Sequence, residues 1–389
     1  MLHNSYSSTI GENNMATNTF LEDIESIVRE HNNCDLINLS DWNPSNDFIQ
    51  SVAATLPTNL IKNGIEYIFS SEISDEIKNK VKVKLGFNED TLLALSFFDS
   101  GSLSIVNVIH LLSIIGIHDI AIISPSYFSI EHICKDYLIN CHYIELEKQG
   151  ANFIIPNACD KILKNCQCIW ITNPVYCTGT YLGEKFINNI NNLVKGTDSI
   201  LVIDESLSEM HQLISPQILS SQCITIASPH KALCTNGIKF SVILFPTQYS
   251  RIVDTWSDIL SGCLSLSALT AIHHFISSDY DKYLLCVKNI IECNRRKVLK
   301  ILQKHQISYD VLSHSYLMSI YFLNLPYDYF DIKNNIIQFI NNTATYVIPN
   351  SRNHFPKSTG LSFRLNLCSV SKKYLYALER AIIYLNDIN

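Results

Sequence analysis

The chain has 389 residues, 47% of them hydrophobic and 17% charged, which suffices for a large core and fits one large plus one small domain. Its 29 basic against 36 acidic residues leave a net charge of −7, which implies no basic nucleic-acid-binding face. Thirteen cysteines, odd in number, scattered and without a CxxC pair, exclude a disulfide framework and imply reduced thiols in a cytoplasmic protein. Cys166 and Cys168 read as buried small side chains, not as metal ligands.

Residues 1–16 are polar and rich in Ser and Asn, without the apolar segment of a secretion signal, so the expectation is a disordered lead. Residues 17–31 place Phe20, Ile24 and Ile27 at helical spacing. A short strand and a Pro-containing turn follow. Residues 71–86 predict a helix, with Ile73, Ile77, Val81 and Leu85 on one face and Lys78, Lys80, Lys82 and Lys84 solvated. From Thr91 strand and helix patterns alternate. Residues 92–97 read as a strand, 99–104 as a turn, and Ile105–Ile114 as a helix. The apolar window Leu103–Ile123 is broken by Asn107, His110, His118 and Asp119, so it reads as a core helix and a strand and not as a membrane span. Small residues in the turn leave N–H groups free at the helix start, a favourable place for a phosphate.

A strand over 121–124 leads to Pro125-Ser126-Tyr127, and a strand over 168–172 to Asn173-Pro174-Val175-Tyr176-Cys177-Thr178-Gly179. Two β-rich runs, 201–203 and 224–227, end abruptly, one at Asp204 and the other at Ser228 with Lys231 behind it. In an open parallel sheet such strand ends face the ligand crevice. Lys239 adds a second cation at the start of another strand. A long amphipathic helix over about Asp279–Gln303 connects to strands Met318–Leu323 and Ala344–Ile348 and helices Tyr329–Ile340 and Val370–Asn386. The organisation expected is an N-terminal arm with part of the small domain (17–58), a large domain (59–278) and a C-terminal small domain (279–389).

Two lysines, a serine and an aspartate around one crevice suit a phosphorylated cofactor with a basic ring nitrogen and an aldehyde. A lysine acting as nucleophile or base needs a partly desolvated pocket. The segment Ser228-Pro229-His230-Lys231, with Gly237 and Lys239 after it, resembles the lysine motif of fold type I pyridoxal-phosphate (PLP) enzymes, specifically the class I/II aminotransferases. Their pattern is Ser-x-Ser-Lys, a glycine-containing loop and an arginine eight residues after the lysine. Motifs in the same order extend from about residue 30 to 385.

The resemblance implies an α/β, aspartate aminotransferase-like fold, with a large, mostly parallel seven-stranded sheet domain and a smaller α+β domain. It implies a homodimer with a shared active site, which Tyr67 reaches from the neighbouring subunit. Lys231 becomes the residue that binds PLP covalently and acts as acid and base, and Asp204 the partner of the ring nitrogen. Gly101, Ser102, Leu103, Ser228 and Lys239 hold the phosphate, and Tyr127 stacks on the ring. Asn173 also belongs to the cofactor-binding set, and Arg364 takes the substrate carboxylate. The family's Asn-Pro-x-Asn-Pro-Thr-Gly is here Asn-Pro-x-Tyr-Cys-Thr-Gly, and its Asp-x-x-Tyr ends in Leu207. Both usual partners of the cofactor oxygen O3′ are thus replaced, and Tyr176 is the candidate substitute. His230 reads as a packed histidine or an extra proton carrier. The activity implied is transamination between an α-amino acid and a 2-oxo acid, with no nucleic acid, membrane or metal involved. The alternatives are β- or γ-elimination, cyclisation or oxidation of an amino acid on the same scaffold, and a non-catalytic relative. A nicotinamide dehydrogenase is disfavoured, because no GxGxxG follows a strand.

Overall fold

The computed structural model describes residues 36–40, 45, 47–48, 68–89, 91–311 and 315–388. The lead at 1–16, the helix expected over 17–31 and Tyr67 lie outside these residues. A seven-stranded sheet is built from β1 (Leu93–Phe98), β2 (Asp119–Ser124), β3 (Asn140–Glu145), β4 (Cys168–Thr172), β5 (Ile200–Glu205), β6 (Cys223–Ala227) and β7 (Ser241–Pro246). Their spatial order is β1-β7-β6-β5-β4-β2-β3. Only β7 runs against its neighbours, so the sheet is mostly parallel, as an α/β chain requires.

Both faces of this sheet are covered, which is why its strands read as nearly continuous apolar runs. Ile120, Ile122, Trp170, Val202 and Ile224 pack on one side with Ile105, Val108 and Leu112 of helix α2 (Gly101–Ile114). Ala121, Ile123, Ile169, Ile171, Leu201 and Ile203 pack on the other with Phe186, Ile187 and Ile190 of α3 (Glu184–Val194). The apolar window at 103–123 is therefore core helix and strand. Among the described residues no helix is long and apolar enough to cross a membrane.

Helix α1 (Asp75–Lys84) is shorter than its apolar pattern, because Ser74 caps it by accepting from Ile77 N. Its lysines do not form one solvated face. Lys84 Nζ pairs with Asp281 at 2.9 Å, Lys82 Nζ donates to Leu93 O at 3.3 Å, and Lys80 pairs with Glu76 at 2.6 Å.

Beyond the sheet, α4 (Ser278–Lys304) runs 27 residues toward the C-terminal unit. That unit holds a three-stranded antiparallel sheet, β8 (Ser308–Tyr309), β9 (Leu317–Phe322) and β10 (Leu361–Asn366), with α5 (Lys333–Thr343) and α6 (Lys372–Asp387). The strand expected over 344–348 shrinks to Thr345–Tyr346, paired in parallel with Ile37–Asn38. Gly360, just before β10, has φ +62°, and a Cβ there would lie 2.5 Å from Phe322 O, so the turn into the strand carrying Arg364 accepts only glycine. A partly buried ion pair links the two parts: Lys148 Nζ lies 2.8 Å from the buried Asp310 Oδ1 and 3.5 Å from the centre of the Tyr321 ring.

Candidate active site

The candidate residues collect at one edge of the large sheet. Gly101 follows β1, Tyr127 follows β2, Asn173–Gly179 follow β4, Asp204 is the next-to-last residue of β5 and Ser228–Lys231 follow β6. These five strands run in the same direction, so all of the groups sit at carboxyl ends, where an α/β sheet leaves its crevice. Lys239 joins them because β7 is antiparallel and starts at that edge.

The α2 end is built by Ser100. Its side chain caps the helix, accepting from Leu103 N at 3.3 Å, while Ser104 N bonds Ser100 O. The cap moves the helix start from the expected Ile105 to Gly101. Leu103 has its N–H bonded and its side chain against the apolar core, so Gly101 and Ser102 are left to face an anion at this helix end.

Gly101 packs against the lysine segment. A Cβ built on it would lie 3.0 Å from Ser228 Oγ, 3.2 Å from Ser206 Oγ and 3.4 Å from Lys231 Nζ. Three polar groups from two strand ends thus converge on the helix start. Both serines are buried, and neither hydroxyl has a hydrogen-bond partner among the described residues. Buried hydroxyls are normally satisfied, so this pair marks a place prepared for a polar ligand.

Lys231 is held by a turn in which its N–H bonds Ser228 O at 3.0 Å and its carbonyl accepts from Cys234 N at 3.0 Å. The residue keeps some contact with the crevice, yet protein crowds its ammonium. Desolvation pushes that group's pKa below the ordinary lysine range; the Lys239 charge pushes the same way and Asp204 opposes both. A lowered lysine pKa suits a nucleophile or base. Asp204 is buried, and its Oδ1 accepts from Ser206 N at 3.0 Å.

Tyr127 is half-buried, with its ring centre 5.8 Å from that of Tyr176 at 57°. Tyr176 is buried, and burial drives its phenol pKa well above the usual value. Arg364 lies beside this pair. Its Nε and Nη2 donate to Ser40 O at 3.3 and 3.2 Å, and its Nη1 is 3.8 Å from Cys177 Sγ. Cys177 has φ +63°, a left-handed backbone that a proline in its place could not follow.

Asn173 faces away from a ligand role. Its Nδ2 donates to Glu205 Oε1 at 2.8 Å and Gln212 O at 3.2 Å, and its Oδ1 accepts from Leu182 N at 3.1 Å. It holds the loop together around the buried Glu205. His230 also points away from the crevice: its Nε2 is 3.2 Å from His274 Nδ1, it packs on Phe240 and Tyr280, and burial lowers its pKa to about 3. The packed-histidine reading is the one observed.

The sequence reading missed Ser206 and Ser100. Ser206 follows a strand-end acid by two residues, and Ser100 precedes a helix as an N-cap residue does; both signals were present. The donor set fits a phosphorylated pyridine aldehyde. It offers an amine of lowered pKa, a buried carboxylate, two unpartnered hydroxyls, and a helix start where an added Cβ would crowd both of those hydroxyls.

A family model described as aminotransferase class I and II matches residues 35–380. No curated protein matches the sequence. Among solved structures, a Thermus thermophilus aspartate aminotransferase double mutant is 15% identical, covers 94% of this chain and 96% of its own, and superposes with a TM-score of 0.76. N-succinyldiaminopimelate aminotransferase from Mycobacterium tuberculosis is 13% identical, with 94% and 97% covered and a TM-score of 0.74. Cystalysin from Treponema denticola, which contains pyridoxal 5′-phosphate, is 17% identical, with 100% of both chains covered and a TM-score of 0.72.

Proposed function

This chain belongs to the aminotransferase class I and II family, and we propose that it is a PLP-dependent aminotransferase that moves the amino group of an α-amino acid to a 2-oxo acid. The convergence of Lys231 Nζ with the unpartnered Ser206 and Ser228 hydroxyls at Gly101 carries this reading. Bound there, PLP supplies an aldehyde conjugated to an electron-withdrawing ring, which acidifies the Cα–H of an attached amino acid.

The chain's own groups do the rest. Lys231 would hold the cofactor through its amine, and the same amine is placed to remove and return the proton at the substrate Cα. Its lowered pKa keeps a fraction of the amine neutral for both steps. Asp204, buried and oriented by Ser206 N–H, holds the proton on the ring nitrogen. Gly101, Ser102, Ser206, Ser228 and Lys239 hold the phosphate, Tyr127 covers the ring, and Tyr176 donates to O3′. Arg364 takes the substrate carboxylate, for which its planar fork is suited. The reading extends to a cytoplasmic homodimer whose site Tyr67 completes from the neighbouring subunit.

The test is an absorption spectrum of the protein with added PLP. A visible band that borohydride bleaches, absent in Lys231→Ala, is expected. Amino acids are then screened with pyruvate or 2-oxoglutarate, and label from the amino group should appear in alanine or glutamate. A protein that takes up no PLP would overturn the cofactor assignment. A second reading, elimination, cyclisation or oxidation of an amino acid, is favoured by the altered loop at Tyr176-Cys177. Ammonia release without any oxo acid distinguishes it.

A further inference from the structure

Cys234 and Cys368 bring their sulfur atoms to 2.9 Å across 134 residues of sequence. Both are buried, Cys234 at 7% exposure and Cys368 at 2%. Cys234 lies in the turn just after Lys231, and Cys368 just after β10, the strand that carries Arg364. The separation is within about 1 Å of a disulfide bond length, so a small shift of either side chain completes the bond. Both segments are pinned. Cys234 N donates to Lys231 O at 3.0 Å, Cys368 N donates to Asn366 Oδ1 at 2.9 Å, and Asn294 Nδ2 holds Leu367 O at 2.9 Å. The contact therefore belongs to the packing of the lysine turn against the C-terminal unit, and not to a loose loop.

We propose that Cys234 and Cys368 form an oxidative modification site, at which a hydroperoxide converts the two thiols into an internal disulfide tying the Lys231 segment to the Arg364 strand. Cys234, the more exposed of the two, attacks a peroxide oxygen. The O–O bond breaks, an alcohol (or water, from hydrogen peroxide) leaves, and Cys234 becomes a sulfenic acid. The Cys368 sulfur then attacks the Cys234 sulfur. The S–O bond breaks, and its hydroxyl leaves as water with the Cys368 proton. Two thiols lose two electrons in total and one peroxide bond gains them. Burial raises the Cys368 thiol pKa, so few thiolates form and the link closes more slowly than at an exposed sensor cysteine. The same burial shields the finished bond from bulky reductants. The linkage does not depend on which cofactor the crevice holds. Where Lys231 and Arg364 serve one substrate, it fixes their spacing.

The full-length protein is reduced, desalted and treated with hydrogen peroxide, and remaining thiols are alkylated under denaturing conditions before peptide mapping. The expected result is an intact mass lower by two hydrogens and a peptide pair joining the two segments. Dithiothreitol should reverse both, and Cys234→Ser and Cys368→Ser should each lack the pair. Mapping on the wild-type protein decides the question even if a variant fails to fold. Oxidation that lands elsewhere, such as at the exposed Cys293, while both Cys234 and Cys368 remain alkylatable, would overturn the proposal.

Discussion

Gly101 is where one atom decides the site. Gly101→Ala puts a methyl 3.0 Å from Ser228 Oγ and 3.2 Å from Ser206 Oγ, so both hydroxyls must give by a few tenths of an ångström. PLP affinity, titrated on the apo-protein by absorbance, should fall while the thermal midpoint stays nearly constant. Ser206→Ala removes one of the two hydroxyls beside Gly101 that have no partner among the described residues. A hydrogen bond to a charged acceptor contributes about 1.5–3 kcal/mol, so PLP should bind roughly tenfold more weakly or worse. Pyridoxal, which lacks the phosphate, should be affected little. Equal losses for both ligands would place Ser206 on the ring instead of the phosphate. Lys231 and Asp204 were legible in the sequence, because Asp204 closes one β-rich run and Lys231 lies just behind the end of the next, in the order the family keeps. Ser206 was not singled out, because only the fold shows that its hydroxyl and that of Ser228 converge on Gly101.

Helix α2 shows how an element's boundary escapes periodicity. The apolar pattern starts at Ile105, but Ser100 supplies the cap and the helix starts at Gly101. Ser100→Ala should cost about 1 kcal/mol of stability, read as a lower denaturant midpoint, and should also weaken PLP binding by loosening the helix start that faces it. A stability loss with unchanged PLP affinity would detach the cap from the site. The loop after β4 is the converse case. Its motif was legible, but the left-handed backbone at Cys177 was not, since a single non-glycine φ leaves no periodic trace.

Two buried carboxylates act on the molecule as a whole. Asp310 has no exposed side-chain surface and is bound by Lys148, Tyr321 OH and Ser319 N. Removing Lys148 strands that charge between the two parts of the chain. Lys148→Ala should therefore cost about 3–5 kcal/mol, measured by chemical denaturation. Glu205 accepts from Asn173, Ile214 N and Ser215, yet burial outweighs these bonds and pushes its pKa up to about 7. The folded state then binds more protons than the unfolded one between the ordinary carboxylate range and pH 7, so this contribution to stability falls as pH rises through that window. In thermal melts from pH 5 to 8, wild type should lose stability relative to Glu205→Gln. A constant difference between the two would contradict the raised pKa.

The sequence by itself determined the class of fold, the strands that carry the site, and the strand ends at which Asp204 and Lys231 lie. These follow from local pattern: apolar runs for strands buried on both faces, helical spacing for the covering helices, and polar residues where strands stop. Only the tertiary structure decided which side chains meet: the two serines and Lys231 at Gly101, Cys234 against Cys368, Lys148 on Asp310, and the loop after β5 closing over the buried Glu205. Such contacts join residues far apart in the chain, and burial sets their chemistry; neither distance nor burial is written in local periodicity.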